Sequence, residues 1–438
     1  MGLKRSLRPN GRFAVGLTLI GVVLVGLVIR WLLRGHATDD ATNYLLPWYT
    51  YARSHGAAAL GDPFTNYTPF IPYLIVAVAK LHGLAAPLTL MKAISTPFEF
   101  ACAALVYRIV RDAGGSPWRA AGGFTVSWLA PTVLMNGALW GQAEAIWTSF
   151  LLLAIWLFMR QRNGLPAFGL AFAVKFPAAF LGPFVLGLVL QRRVHWLWLL
   201  SVPTLYALLA APVVLAGRSA VDVATIYLHQ SETFDRLTMN AANIWVFLPI
   251  PYPIGVVVGL VLATFAGLVL AVFIARLEDL TPERLVKVAA ASLLLMPLLM
   301  PKMHERYFYA FELAIIALAF INPRYLAFAA ASQVSGVLAY LVWGNGQTLV
   351  TLPPAALVNL LIAVRLFGDL RTEAEGWAFA WGRWAAFAAS SAALILTVTL
   401  APQMALLPFV FACLTCVTAL DLLRATTSPF RSSRAAAP

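Results

Sequence analysis

Three basic side chains fall within five residues of one another in an otherwise apolar part of the chain: Lys302, His304 and Arg306. If this stretch is extended, alternate residues face the same side, so the three cations converge and Glu305 points away. If it is helical, only Lys302 and Arg306 share a face. Arginine can bind phosphate through two parallel hydrogen bonds, lysine adds a point charge, and histidine can donate a hydrogen bond or a proton. The extended form therefore predicts a phosphate-binding pocket.

The same cations could instead form an ordinary salt-bridge cluster with Glu312 or Glu144. Gln142 and Glu144 stand at the start of a hydrophobic stretch, in the sequence WGQAE. A carboxylate is costly to bury in a membrane, so Glu144 is expected to face a polar cavity. It could bind sugar hydroxyls, hold a metal or only neutralise Lys175, and the sequence does not rank these roles.

Two adjacent carboxylates, Asp39 and Asp40, follow the first long hydrophobic stretch. Two like charges at a membrane surface oppose packing, which favours a catalytic or binding task for them. The alternative is that Asp40 is a plain N-cap of a helix over residues 41–55. That interfacial helix would carry four rings on one face, an arrangement that also fits an aromatic belt. The four are Tyr44, Trp48, Tyr51 and His55.

A later polar segment, YLHQSETFDRLTMNAANIW, contains amide and indole groups of the kind that bind sugars. The candidates are Gln230, Asn240, Asn243 and Trp245. The same residue types are common in ordinary interfacial loops, so the segment is suggestive only together with the others. Six histidines without a Cys/His cluster give no zinc pattern, and we assign no metal ligand.

Composition sets the class of protein that must position these groups. Of 438 residues, 61% are hydrophobic and only 11% are charged, against about 25% charged in soluble domains. The mean hydropathy is +0.81, and apolar runs long enough to cross a bilayer recur along the chain. We predict an all-α, multi-pass integral membrane protein. The net charge of +13 is explained by basic cytoplasmic loops, and no soluble basic face is present for nucleic acid.

The distribution of basic residues predicts the threading. The N-terminus is placed in the cytoplasm because basic residues precede a first span over about 13–33. These are Lys4, Arg5, Arg8 and Arg12. Further basic loops mark each return to the cytoplasm: 108–119, 160–162, 192–193, 276–287, 324, 365–371 and the tail from 424. The outer segments are then 34–67, 136–144, 217–250 and 301–307.

Two segments must deviate from simple hydropathy for this threading to work. Segment 68–84 is predicted to be re-entrant or interfacial, so that it does not cross the membrane. Segment 164–191 is predicted to be a short hairpin that bends near Lys175 and Pro177. Both predictions depend on the charge distribution alone.

Seven segments, taken in order over about residues 35–315, resemble the GT-C superfamily of membrane glycosyltransferases. The likeness is to bacterial relatives of the second mannosyltransferase of GPI-anchor assembly and, more distantly, to mycobacterial phosphatidylinositol-mannoside mannosyltransferases. The segments are DDATNYLLPWYTYARSHG, FTNYTPFIPYL, KAISTPFEFACAALVYRIVR, MNGALWGQAEAIWTSFLL, AFAVKFPAAFLGPF, YLHQSETFDRLTMNAANIW and MPKMHERYFYAF. Each is weak by itself, and the ordered set is specific.

The resemblance implies a GT-C fold with about 12–14 transmembrane helices and interfacial helices in the first outer loop. It implies a GT-C module over 1–250, followed by variable C-terminal helices over 251–438 that include the outer turn 301–307. It further implies an inverting transfer of a sugar, most often mannose, from a polyprenyl-phosphate donor to a lipid or glycan acceptor. The active site would face the exterior of a bacterial inner membrane.

By the same resemblance the catalytic carboxylate falls on Asp40, with Asp39 as a substitute. Glu99 and Glu144 stand where the family suggests aspartate, so a divalent metal remains possible although none is assigned. The donor phosphate would bind Lys302, His304 and Arg306. The expected substrate-binding residues are Asn66, Tyr67, Gln142, Glu144, Lys175, Gln230, Asn240, Asn243 and Trp245. The alternative function is a transporter of lipid-linked sugars, which would use the same cations and cavity.

Overall fold

The structure is a computed structural model that describes residues 9–345 and 348–373. Its first α-helices are α1 (Pro9–Leu33), α2 (Leu46–His55), α3 (Phe70–Ala79), α4 (Pro87–Ala93), α5 (Thr96–Asp112), α6 (Pro117–Leu129), α7 (Pro131–Val133), α8 (Glu144–Met159) and α9 (Leu165–Val174). The later ones are α10 (Gly182–Leu190), α11 (Ser201–Leu215), α12 (Ala220–Glu232), α13 (Tyr252–Ala275), α14 (Pro282–Leu299), α15 (Tyr309–Ile321), α16 (Leu326–Asn345) and α17 (Thr348–Glu373). Two short parallel strands, β1 (Thr238–Met239) and β2 (Met303–His304), pair in the register Thr238 with Met303.

In the described part of the chain, six helices are long and apolar enough to cross a membrane. They are Phe13–Leu33, Pro87–Asp112, Trp196–Leu215, Tyr252–Ala275, Pro323–Val342 and Thr351–Leu370. The prediction of an all-α multi-pass membrane protein is confirmed. Residues 374–438, which contribute to the predicted count of helices, and the basic N-terminus with Lys4, Arg5 and Arg8 lie outside the described residues.

The core is built around α15, which is buried on nearly every side. It packs against α5, α6, α8, α14 and α16. A helix that is apolar nearly all round must be covered by other helices, and Glu312 is the one acidic or basic side chain of α15. Contacts between α10 and α13 cross residue 250. The predicted division into two modules at that residue stays a prediction.

Segment 164–191 folds as the predicted hairpin. The helix α9 ends at Lys175, whose extended backbone (φ −158°, ψ 137°) breaks the helix before a 3₁₀ turn over Phe176–Leu181 and α10. Residues 161–162 before the hairpin and 193–194 after it line one cavity, so the chain returns to the side from which it entered. Lys175 therefore lies at the hairpin tip. The helix α3 has 10 residues, about 15 Å of length, which fits the prediction that 68–84 does not cross.

Segment 34–67, which was predicted to lie outside, contains a helix at the place where the interfacial helix was predicted. A π-helical turn over Ala41–Leu45 leads into α2, and a 3₁₀ turn follows over Gly56–Gly61. Asp40 has helical backbone angles and its side chain makes no capping hydrogen bond. The N-cap alternative for Asp40 is therefore wrong. The later outer segment 217–250 contains a helix that was not predicted there, α12.

Candidate active site

A buried carboxylate, Glu144, is the centre of the polar site. It is the first residue of α8 and its side chain is 0% exposed. Lys175 Nζ donates a hydrogen bond to Glu144 Oε1, and Arg306 Nε lies 3.3 Å from the same oxygen. Asn136 Nδ2 donates to the other oxygen, Oε2, at 3.1 Å, and also to the Tyr340 hydroxyl at 2.8 Å. Of the roles considered for Glu144, pairing with Lys175 is the one that the structure shows.

Three separate breaks in helices bring these groups together. Glu144 follows a turn in which Gly141 has φ 72°, a conformation that favours glycine. Lys175 occupies the tip of the hairpin, where its neighbour Val174 accepts a hydrogen bond from Thr68 Oγ1. Arg306 lies in a 3₁₀ turn over Glu305–Phe308 that precedes α15. Charged side chains can therefore enter the bundle end where no regular helix continues.

Glu305 lies inside the cluster, which corrects the expectation that it points away from the cations. Arg306 Nη1 donates to Glu305 Oε1 at 2.7 Å, and the Glu305 side chain is buried. The strand β2 ends at His304, and the chain turns into the 3₁₀ helix at Glu305. The alternation of an extended segment therefore stops before Arg306, and adjacent side chains pair with each other.

Lys302 does not converge with His304 and Arg306 as an extended segment would require. Its backbone has φ 63°, and its ammonium donates to the Ser231 carbonyl and lies 5.1 Å from the centre of the Tyr252 ring. Lys175 is the lysine that joins the other two cations. Lys175 Nζ lies 5.4 Å from the centre of the Tyr307 ring, which the His304 ring contacts at a centroid distance of 5.3 Å.

His304 is partly exposed and lies between aromatic rings and charged side chains. Its Nδ1 lies 3.8 Å from Glu305 Oε2, and its side chain is 16% exposed. Burial lowers the pKa of His304, as do the positive charges of Arg306 and Lys175, against the opposing effect of Glu305. The imidazole is therefore held neutral near pH 7, where it can donate one N–H to an anion.

Asp40 is joined to this cluster through Gln142. The side-chain Nε2 of Gln142 donates to Asp40 Oδ2 at 2.6 Å. The backbone N–H of Gln142 donates to the backbone carbonyl of Asn136 at 2.9 Å. Asn136 in turn bonds Glu144. Asp39 is exposed, whereas Asp40 is half-buried. The first outer segment and the turn around Arg306 therefore lie at the same end of the bundle.

A cavity of about 370 Å³ opens beside this end, between the first outer segment and α12. Two predicted substrate-binding residues, Asn66 and Gln230, line it, and the Gln230 amide donates to the Asn66 carbonyl. Tyr67 stands between the cavity and the cluster. Its ring meets Trp48 of the cavity wall at 5.6 Å and lies 5.5 Å from Lys175 Nζ. The other lining residues are Tyr44, Pro63, Phe64, Thr65, Arg218, Asp222, Ile226, His229 and Thr233.

Three predicted substrate-binding residues lie behind the turn 300–304. Asn243 is fully buried, and its Oδ1 accepts from the Trp245 amide N–H at 3.2 Å. Trp245 Nε1 donates to the Leu299 carbonyl at 3.0 Å. Asn240, with φ 62°, forms a bridge with His304. None of these three is among the residues lining the cavity, and they position the turn.

Arg218 and Asp222 were not predicted as site residues, and they form an ion pair of 3.0 Å on the cavity wall. Their i,i+4 spacing was the available signal. Asn136 and Tyr340 beside Glu144 were not predicted either. Glu99, placed where the family suggests aspartate, is buried and pairs with Arg30 of α1 at 2.6 Å.

Among the residues described, no group of three or more His, Cys, Asp or Glu side chains could hold a metal ion.

Comparison with known proteins gives a similarity to solved structures but no match by sequence. No protein-family model matches the sequence, and no curated protein matches it. The crystal structure of ArnT from Cupriavidus metallidurans bound to undecaprenyl phosphate aligns with 89% of this chain and 82% of its own chain. The sequence identity is 15% and the TM-score is 0.49.

Proposed function

We propose that this protein is a GT-C glycosyltransferase that moves a sugar, mannose by the resemblance of its motifs, from a polyprenyl-phosphate donor to a lipid or glycan acceptor. The reaction would occur at the outer face of a bacterial inner membrane. The observation that carries the proposal is the hydrogen-bonded chain from Asp40 through Gln142 and Asn136 to Glu144. It holds a carboxylate and a group of cations at one end of an otherwise apolar bundle.

The cations are suited to hold the donor phosphate. Arg306 uses Nη1 for Glu305 and directs Nε at Glu144, which leaves other guanidinium N–H groups for a ligand. The two carboxylates fix its orientation before substrate arrives, which is how preorganised charge stabilises a leaving group. Lys302 lies apart from these groups, against the Ser231 carbonyl and the Tyr252 ring, so we assign the phosphate to Arg306, Lys175 and His304. His304 adds one neutral N–H donor.

Asp40 is proposed as the general base. Its Oδ2 is held by Gln142, which leaves Oδ1 for the hydroxyl proton of an acceptor that attacks the sugar. Polyprenyl phosphate leaves as an anion and needs no proton, so one carboxylate suffices. Attack opposite the leaving phosphate inverts the configuration of the anomeric carbon.

The cavity beside α12 is proposed to hold the acceptor. Trp48 and Tyr44 offer ring faces, while Asn66, Gln230 and His229 offer hydrogen-bonding groups. Ring faces beside polar groups suit the apolar faces and hydroxyls of a sugar. Asp40 directly precedes the π-helical turn Ala41–Leu45, which contains Tyr44 of the cavity wall, so an acceptor in this cavity would lie close to the proposed base.

A matched pair of variants tests the role of Asp40. We expect Asp40→Asn to bind donor but to transfer sugar about 100- to 10,000-fold more slowly, the range for loss of general-base help. Asp39→Asn, which removes the exposed neighbour, should retain near-normal turnover. The measurement is product formation by the purified protein from labelled polyprenyl-phosphate mannose and a membrane-lipid extract. Near-normal turnover by Asp40→Asn would reject Asp40 as the base.

The same assay separates transfer from transport. A transferase produces a new glycosylated product in detergent, where no compartments exist. A transporter of lipid-linked sugar would leave the donor chemically unchanged and move label only across sealed vesicles. The concentration of the proposed donor and acceptor groups at one end of the bundle favours the transferase. Movement of label without any product would reject it.

A further inference from the structure

A second cavity, of about 320 Å³, lies at the opposite end of the bundle from Glu144. Its lining residues are Phe158, Gln161, Arg162, Leu188, Arg193, Val194 and Leu285. The lengths of two helices give the distance between this cavity and the site around Glu144. The 16-residue α8 starts at Glu144 and ends beside this cavity, about 24 Å away. The 18-residue α14 starts beside Leu285 and ends near the turn around Arg306, about 27 Å away. Since the hydrocarbon core is about 30 Å thick, the cavity lies near the other layer of headgroups.

Two turns of the same form carry the arginines of this cavity. After α8, Gln161 has φ 54° and the Arg162 amide donates to the Leu157 carbonyl at 2.8 Å. After α10, Arg192 has φ 59° and the Arg193 amide donates to the Leu188 carbonyl at 3.1 Å. Each helix therefore ends with a left-handed residue other than glycine, and each places an arginine in the next position.

The charge in the cavity is not neutralised by its own walls. No carboxylate is among its lining residues, and in the described part of the chain neither Arg162 nor Arg193 forms an ion pair. The nearby Asp112 is occupied by Arg160 Nη1 at 3.0 Å and Trp156 Nε1 at 2.8 Å. The two helix C-termini contribute about half a negative charge each, so two guanidinium groups leave a net positive site.

We propose that this cavity binds the headgroup phosphate of an anionic phospholipid from the leaflet opposite the active site. Arg162 and Arg193 donate to the phosphate oxygens, and the apolar side chains of Phe158, Leu188 and Leu285 contact the adjoining part of the lipid. A free phosphate would use the same arginines but would leave this apolar wall without a partner. A zwitterionic headgroup would bring a cation that finds no carboxylate on the cavity wall. The cavity volume is within the range of small-ligand sites.

Lipid binding to the intact, delipidated protein in detergent tests the proposal. We expect the protein to bind phosphatidylglycerol at least about tenfold more tightly than phosphatidylcholine, measured by native mass spectrometry, a preference worth about 1.4 kcal/mol. Inorganic phosphate at the same concentration should displace little lipid. The double variant R162Q/R193Q should lose the preference, and R162K/R193K should keep most of it.

The control removes the same charge from arginines that do not line the cavity. Arg108 and Arg192 are exposed, and R108Q/R192Q should retain the preference for phosphatidylglycerol. Melting temperatures without lipid, equal for the three double variants and the parent, would show that loss of binding is not loss of fold. An unchanged preference in R162Q/R193Q would overturn the proposal. Equal loss in R108Q/R192Q, or full displacement by inorganic phosphate, would also overturn it.

Discussion

Glu144 determines the electrostatics of the site at the scale of single residues. A carboxylate without solvent exposure is expensive, and it is retained here by Lys175, Arg306 and Asn136. The pair of carboxylates, Glu144 and Glu305, matches the charges of Lys175 and Arg306. The cluster is therefore nearly neutral without ligand, which lets it exist at the end of an apolar bundle. An incoming phosphate would draw on the donors that the carboxylates leave unused.

Removing one partner of the buried Glu144–Lys175 pair should reduce the free energy of unfolding more than removing both partners. We expect Glu144→Gln to lower the free energy of unfolding by about 3–5 kcal/mol, because two cations lose their shared counter-charge. The double variant Glu144→Gln/Lys175→Met should be less destabilised than Glu144→Gln alone. Denaturant unfolding in detergent measures both. If the loss of unfolding free energy in the double variant equals the sum of the losses in the two single variants, the two residues do not act as a pair.

The lowered pKa of His304 predicts how the stability of the fold depends on pH. The unfolded chain binds a proton at the ordinary pKa of histidine, while folded His304 binds it only at lower pH. Between those two values the unfolded state holds more protons, so acidification through this window favours unfolding. We expect the melting temperature to fall less steeply below about pH 6.5 in His304→Gln than in the parent. If the melting temperatures of the two proteins fall in parallel with pH, the pKa of His304 is not lowered by folding.

At the scale of elements, the site is built where helices depart from regular geometry. One π-helical turn, Ala41–Leu45, follows Asp40, and another, Leu134–Leu139, precedes Gln142. The hairpin tip at Lys175 and the 3₁₀ turn at Arg306 supply the remaining groups. Such irregular turns are frequent at functional sites because they redirect side chains that a regular helix would aim elsewhere.

Close packing of α13 should set the position of the turn that carries Lys302. A Cβ at Gly259 would meet the Trp245 ring and lie 2.8 Å from Pro301 Cδ. We expect Gly259→Ala to cost about 1–3 kcal/mol of stability through overpacking and to reduce transfer by displacing the turn. Gly21→Ala is the control, because no atom lies within 4 Å of the added Cβ. Equal thermal stability and activity for the two variants would contradict the prediction.

At the scale of the whole molecule, the two proposed sites lie at opposite ends of the helices. Asp40, the cation cluster and the first cavity lie at one end, and the arginine-lined cavity lies at the other. Basic side chains near the second end, among them Arg111, Arg160 and Arg284, fit a cytoplasmic face. This arrangement suits an enzyme that acts at the outer face and is anchored at the inner one.

Cysteine labelling tests this orientation. In a background without Cys102, Cys413 and Cys416, Asn66→Cys should react with a membrane-impermeant maleimide on intact cells, because Asn66 is exposed at the proposed outer end. Arg162→Cys should react only after the cells are permeabilised. The opposite pattern would reverse the orientation and would contradict an active site that faces the exterior.

Predictions that depended on hydrophobic and charge patterning agree with the structure. The first span, a helix within 41–55 and the hairpin at Lys175 all follow from where apolar runs stop and where arginines recur. The geometry of Lys302 to Arg306 could not be obtained in this way. It depends on β1, which lies more than 60 residues earlier in the chain and pairs with only two residues of the segment, Met303 and His304. Asn243 and Trp245 have the chemistry of sugar ligands, but their partners are backbone groups of α14.

The sequence by itself determined that the chain is an all-α membrane protein, where its polar segments lie and which residue types are available for chemistry. These properties follow from the local balance of apolar and charged side chains. Only the tertiary structure decided which of these residues meet. It placed Lys175 beside Arg306, turned Glu305 inward and joined Asp40 to Gln142. Contacts between residues 31 to 162 positions apart are fixed by the packing of helices, which no local pattern encodes.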